Sequence, residues 1–160
     1  MIKIILMFTM LFTSVFSIEK YRFIGLDLST SNTEFNMGNS QRDTTIGIVA
    51  GIQSHEWRVK GSYKFDFNGY EEVSIETDKV FSRIDFEDFK MKPYIGISVG
   101  YFNHDEIKTD KSIFGFHGGT IINLDDDFDL DISISHKIGR SSEASLDNMD
   151  SLSINLNYFF

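Results

Sequence analysis

The chain has 160 residues, one proline, no cysteine and a formal charge of -9 at pH 7, from 15 basic and 24 acidic side chains. That length is one domain. The missing cysteines exclude disulfide frameworks, thiolate metal centres and cysteine nucleophiles, and the acidity opposes an anionic backbone, so no nucleic-acid partner is expected.

Met1, Ile2 and Lys3 give a short basic start, followed by an apolar run over 4–16 that Glu19 and Lys20 close. The run falls short of the roughly 20 residues a membrane helix needs, and it fits a secretory signal. Val15 and Ser17 stand where a signal peptidase reads aliphatic or small residues. Residues 1–17 are therefore read as a signal peptide and 18–160 as the exported domain.

From residue 18 apolar side chains recur at every second position, the period of strands whose faces meet different surroundings. The first run is 20–29, with Ile24, Leu26 and Leu28 on one face; the second is 44–53, with Ile46, Ile48, Ala50 and Ile52. In the third, Trp57, Val59, Gly61, Tyr63 and Phe65 alternate with Arg58, Lys60, Ser62, Lys64 and Asp66. The fourth, 72–86, changes parity from Val73 and Ile75 to Val80, Ile84 and Phe86, so one continuous strand requires a bulge near Asp78 and Lys79. Ile95, Ile97, Val99 and Tyr101 mark the fifth, and Phe114, Phe116, Ile122 and Leu124 the sixth, over 112–124. Phe128, Leu130, Ile132 and Ile134 mark the seventh, and Leu152, Ile154, Leu156, Tyr158 and Phe160 the eighth.

The connectors alternate in length: 30–43, 103–111 and 139–150 are long, whereas 53–56, 87–90 and 125–127 are short. An even strand count with long and short connections at opposite ends fits an all-β fold, an eight-stranded antiparallel up-and-down transmembrane β-barrel. A soluble barrel or sandwich shows the same alternation, and which face is inside separates the two. The polar faces carry Asp27, Arg58, Lys60, Lys64, Asp66, Glu76, Arg83, Asp85, Asp129, Asp131 and Lys137, interleaved with glycines. This near-balanced set suits a tight, paired lumen. The apolar faces end in Trp57, Tyr101, Tyr158 and Phe160, as interfacial girdles do.

No catalytic constellation stands out. His55, His104, His117 and His136 sit in no motif, with His117 on the inferred lumen face. Asp127, Asp129 and Asp131 have the one-three-five spacing of a calcium loop but lack the Gly and Glu that complete it. No metal, cofactor or enzymatic activity is assigned.

The alternation from Leu152 through Ile154, Leu156 and Tyr158 to the terminal Phe160 resembles the assembly signal of bacterial outer-membrane barrels. The segment 92–101, Lys92-Pro93-Tyr94-Ile95-Gly96-Ile97-Ser98-Val99-Gly100-Tyr101, resembles a strand of the OmpA/OmpX-type small barrel families. The resemblance implies a location in the bacterial outer membrane, contact with its lipids and insertion by the barrel-assembly machinery. Eight strands leave an interior that side chains just fill. A lumen network of Arg58, Lys60, Lys64, Asp66, Glu76, Arg83, Asp129, Asp131 and Lys137 is therefore expected to plug it. Function then falls to the long connections as a structural or surface-interaction role towards an extracellular ligand, with a narrow channel and a lipid-modifying enzyme as alternatives.

Overall fold

The computed structural model describes residues 21–34, 40–86, 89–104, 109–140 and 146–160, so the expected signal peptide lies outside the described residues. Its strands are β1 (Tyr21–Glu34), β2 (Ser40–Gln53), β3 (Trp57–Phe65), β4 (Tyr70–Val80), β5 (Ile84–Asp85), β6 (Lys90–His104), β7 (Thr109–Asn123), β8 (Phe128–Arg140) and β9 (Leu146–Phe159). All but the two-residue β5 form the wall of an eight-stranded antiparallel barrel. Neighbours in the chain are neighbours in the wall, β4 pairs with β6 past β5, and β9 closes the ring on β1 from Phe23↔Phe159 to Glu34↔Asn148. Closure leaves the wall without a free edge.

The alternation seen in the sequence sets the faces. Ile24, Leu26 and Leu28 of β1 look outward while Phe23, Gly25, Asp27 and Ser29 look inward, and the same division runs through β8 and β9. Leu26 is 67% exposed and Ile134 67%, whereas Arg58 is 1% and Asp131 0% exposed. The polar face is therefore the inside, the inverse of a soluble barrel.

Two expectations change. β4 has no bulge: Tyr70 to Val80 pair residue for residue with β6, and Val80 points inward. The chain then leaves the wall, with the Phe81 amide donating to the Pro93 carbonyl at 2.9 Å. Ile84 and Phe86 belong to the 81–89 connection, which is why the apolar parity shifts. The long connections expected at 30–43, 103–111 and 139–150 are largely strand. β1 and β2 remain paired out to Glu34↔Ser40, β6 and β7 to His104↔Thr109, and β8 and β9 to Arg140↔Leu146. Their tips, 35–39, 105–108 and 141–145, lie outside the described residues. Long and short connections therefore do not segregate to opposite ends: 81–89, at the end that carries the termini, is longer than any of these tips.

Candidate functional site: the sealed interior

β3 supplies every second residue to the lumen as Arg58, Lys60, Ser62 and Lys64, and β4 faces it with Tyr70, Glu72, Ser74, Glu76, Asp78 and Val80. Cations from one strand thus stand opposite acids from the next. Arg58 bridges two walls: its Nε donates to Asp78 Oδ2 at 2.7 Å, and its Nη1 lies 2.9 Å from Asp131 Oδ2 on β8. Lys60 Nζ is 3.1 Å from Glu76 Oε2 and 3.5 Å from Asp131 Oδ2. Lys64 reaches across to Asp27 at 3.2 Å and donates to the Ser29 and Ser153 hydroxyls. Lys137 meets Glu72 at 2.5 Å. Each of these four buried cations thus has an opposite charge in reach, without which its transfer from water would cost several kcal/mol.

Aromatic side chains buttress the ions. The Tyr94 hydroxyl donates to Asp131 Oδ1 at 2.7 Å, and its ring lies under the Arg58 guanidinium, 4.3 Å from the centroid. The Tyr70 hydroxyl donates to Glu72 at 2.8 Å. The His117 Nε2 sits 2.5 Å from Asp78 Oδ1 and 3.5 Å from Glu76 Oε2. Gly96 makes this contact possible, because a Cβ there would press on the Asp78 carboxylate and come within 2.6 Å of the His117 ring.

Apolar layers close both ends of the polar middle. Val80, Tyr94 and Ile121 pack at the end that carries the termini, and at that same end the Phe23 ring lies 5.4 Å from that of Phe159. Tyr70, Phe102, Ile113 and Met149 pack at the opposite end, with Tyr70 and Phe102 edge to face at 5.1 Å. Between them lies a cavity of about 10 Å³ lined by Lys60, Lys64, Glu76, His117 and neighbouring polar groups. That is room for about one water molecule.

Of the expected lumen set, Arg58, Lys60, Lys64, Glu76, Asp129 and Lys137 are buried on the inward face, as is Asp131. Asp129 stands apart at the mouth, accepting from Asn123 Nδ2 at 2.6 Å. Asp66 and Arg83 need correction. Asp66 lies in the β3–β4 turn, where its Oδ1 accepts from the Asn68 and Tyr70 amides at 2.7 and 2.8 Å and so folds the chain around Gly69, whose φ is 91°. Arg83 is half exposed on the 81–89 connection and pairs with Asp85 at 2.7 Å, so Asp85 also lies outside the lumen. Both continue a strand's polar alternation in the sequence but lie past its end, since β3 stops at Phe65 and β4 at Val80. Glu72, Asp78, Tyr70 and Tyr94 were missed. Extending the β4 alternation unbroken from Val73 would have placed Glu72 and Asp78 inside.

The remaining candidates also resolve. The Asp125 carboxylate accepts from the Asp127 and Phe128 amides at 2.9 and 2.7 Å, a turn, and Asp129 and Asp131 point into the barrel while Asp127 is exposed, so the three acids do not converge. His136 is outside, 2.7 Å from Asp150. Glu76, Asp78 and His117 come within 4.8 Å of one another. Arg58 and Lys60 already occupy the two carboxylates and repel a further cation, so the cluster reads as ion pairing. At the rim, Lys79 bonds to Glu56 at 2.6 Å and holds that carboxyl below its usual range while lying 5.0 Å from the Trp57 ring centroid. Of the C-terminal set, Leu152, Ile154, Leu156 and Tyr158 all face outward on β9, and Phe160 follows it with its amide donating to the Arg22 carbonyl at 3.0 Å.

A closed ring with its ion pairs inside and an aliphatic wall outside is a transmembrane β-barrel, the class of bacterial outer-membrane proteins. No family model and no curated sequence matches the chain. Solved structures do. Neisserial surface protein A aligns with a TM-score of 0.65 at 15% identity, over 87% of this chain and 97% of that one. Ail, the attachment invasion locus protein of Yersinia pestis, aligns at 0.56 and 15% identity, over 89% and 100%. The N-terminal β-barrel domain of Pseudomonas aeruginosa OprF aligns at 0.56 and 12%, over 84% and 97%. At such identities the likeness is one of fold, that of the small outer-membrane barrels.

Proposed function

We propose that this protein is a sealed outer-membrane anchor: a structural or surface-interaction barrel that holds polar strand ends and their tips outside the cell and conducts little. The observation that carries this reading is the filled interior, with two apolar layers around a paired charge network. Past the aliphatic wall, the outward faces of β1, β2 and β9 turn polar, with Thr30, Asn32 and Glu34 on β1, Arg42 and Thr44 on β2, and Asp150 on β9. These mixed charges form a hydrated collar, as expected of a segment standing clear of lipid. The names of the neighbours, a surface protein and an attachment protein, agree with this role.

The partners on this reading are outer-membrane lipids along the apolar belt, the barrel-assembly machinery at the C-terminal strand, and an extracellular ligand at the tips. Conductance of purified protein in planar bilayers tests the seal. Brief, small events or silence agree with it; a steady large conductance favours the channel reading. Fractionation with a gel run before and after boiling tests the location.

A further inference from the structure

The mouth at the end that carries the termini holds a cavity of about 590 Å³, within the range of about 300–1,000 Å³ common to small-molecule sites. One inward position deeper on β6 and β7, Tyr94 and Ile121 begin the apolar layer that parts this mouth from the central network. Whatever enters stops there. On the reading of the barrel as a sealed anchor, this end faces the periplasm.

Its walls separate charge. Lys90 and Lys92 line one side at inward positions of β6, and neither forms an ion pair among the described residues. Asp126 and Asp129 line the side made by the β7–β8 turn and the start of β8. Asp129 is 3% exposed and accepts from Asn123, but, unlike the acids of the central network, it has no ion-pair partner among the described residues. Arg58 and Lys92 attract it only from beyond contact. A carboxylate withdrawn from water in this way is costly until a cation meets it. Gln53, 6% exposed on the same wall, leaves its amide oxygen without a hydrogen-bond partner, and an amide offers a donor or an acceptor as it turns. Arg83 and Asp125 also line the mouth but are occupied, Arg83 by Asp85 and Asp125 by two turn amides. Phe86 and Phe89, stacked with ring centroids 4.8 Å apart, add an apolar surface.

We propose that this mouth is a binding site for a short peptide with free ends and an apolar side chain. Its ammonium meets Asp129 and the Gln53 amide, its carboxylate meets Lys90 and Lys92, and its side chain lies on the Phe86 and Phe89 rings. A simple anion or a simple cation fits less well, because each would share the cavity with a wall of its own sign. No lysine reaches Asp129, so the two charges of the ligand must stand apart, as the ends of a dipeptide do and those of a single amino acid do not. The site adds a binding function to the anchor on the side away from the strand tips. The ligand is held at the mouth and not passed through.

The test titrates the barrel in lipid nanodiscs with the dipeptide Ala-Phe and follows the amide resonances of Gln53, Asn123 and Asp129 by NMR. Saturable shifts confined to the mouth are expected. Capping either end, as N-acetyl-Ala-Phe or as Ala-Phe amide, should weaken binding about tenfold or more, since each cap removes a charge-assisted hydrogen bond. In Asp129→Asn, which keeps an acceptor for Asn123, the free and acetylated dipeptides should bind alike. In the double variant Lys90→Gln/Lys92→Gln the free and amidated ones should. Amide shifts elsewhere in the wall report that each variant is folded. No saturable shift at millimolar dipeptide, equal affinity of the wild type for capped and free forms, or unchanged discrimination in either variant would overturn the proposal. Shifts spread over the outward faces would also overturn it, as partition of the dipeptide into lipid. Conductance in planar bilayers reports separately on the seal, so a leaky barrel that binds and a tight barrel that does not are distinguishable.

Discussion

Replacing Arg58 by Met tests the plug where it carries most charge. The side chain is 1% exposed and spans the lumen, reaching Asp78 on β4 and Asp131 on β8 while stacking on Tyr94. Methionine keeps much of the volume and removes the charge, so packing changes little and two carboxylates lose their main partner. Removing one side of a buried ion pair costs about 3–5 kcal/mol, because the remaining charge stays buried. Asp78 retains His117, and Asp131 retains the Tyr94 hydroxyl and a Lys60 contact at 3.5 Å, which places the loss towards the lower figure. Urea unfolding in vesicles reads it, followed by the fluorescence of Trp57, the single tryptophan. The double variant Arg58→Met/Asp131→Asn removes one orphaned charge as well and should recover about 1–2 kcal/mol, a coupling within the range for contacting residues. A loss below about 1 kcal/mol for Arg58→Met would refute the reasoning, since it would mean that water already screens these carboxylates.

Three further outcomes follow from the same geometry. Ile154→Arg places a charge on the lipid face of β9 and should cost about 2–4 kcal/mol if the site lies near the bilayer midplane, measured by the same unfolding assay. Gly96→Ala drives a methyl against Asp78 and the His117 ring, so it should destabilise by about 1–3 kcal/mol; Gly61→Ala, where the nearest atom to a new Cβ is 3.9 Å away, should be nearly silent in comparison. Deleting Phe160, or replacing it with Asp, should lower the fraction of heat-modifiable barrel in purified outer membranes while the unfolded precursor accumulates; an unchanged fraction would remove Phe160 from the assembly signal.

The wall was legible where one face is consistently aliphatic. Phe128, Leu130, Ile132 and Ile134 against Asp129, Asp131, Ser133 and Ser135 define β8 without ambiguity, and Leu152 to Tyr158 define β9 in the same way. The signal fades for two physical reasons. Beyond the apolar belt both faces of a strand are polar, so Thr30 to Glu34 and Ser40 to Asp43 read as loop although they pair as a ribbon. Near the ends of the lumen the inward face becomes apolar, so Val80, Ile113, Ile121 and Met149 appear to belong to the lipid side or to none. Val80 hid the true end of β4, and with it the roles of Asp78 and Glu72. Partner choice inside the lumen is set by registers between distant segments, such as Arg58 with Asp131 or Lys137 with Glu72, and local pattern holds no record of it.

The absence of cysteine from the chain makes its faces directly addressable. Single cysteines placed in turn from Leu152 to Leu156 on β9, spin-labelled in lipid vesicles, can be probed for collision with oxygen, which dissolves in the bilayer, and with a water-soluble nickel chelate. Labels at Leu152, Ile154 and Leu156 should collide with oxygen, and labels at Ser153 and Asn155 with neither. Oxygen access at Ser153 and Asn155, with the aliphatic positions shielded or wet, would contradict the account.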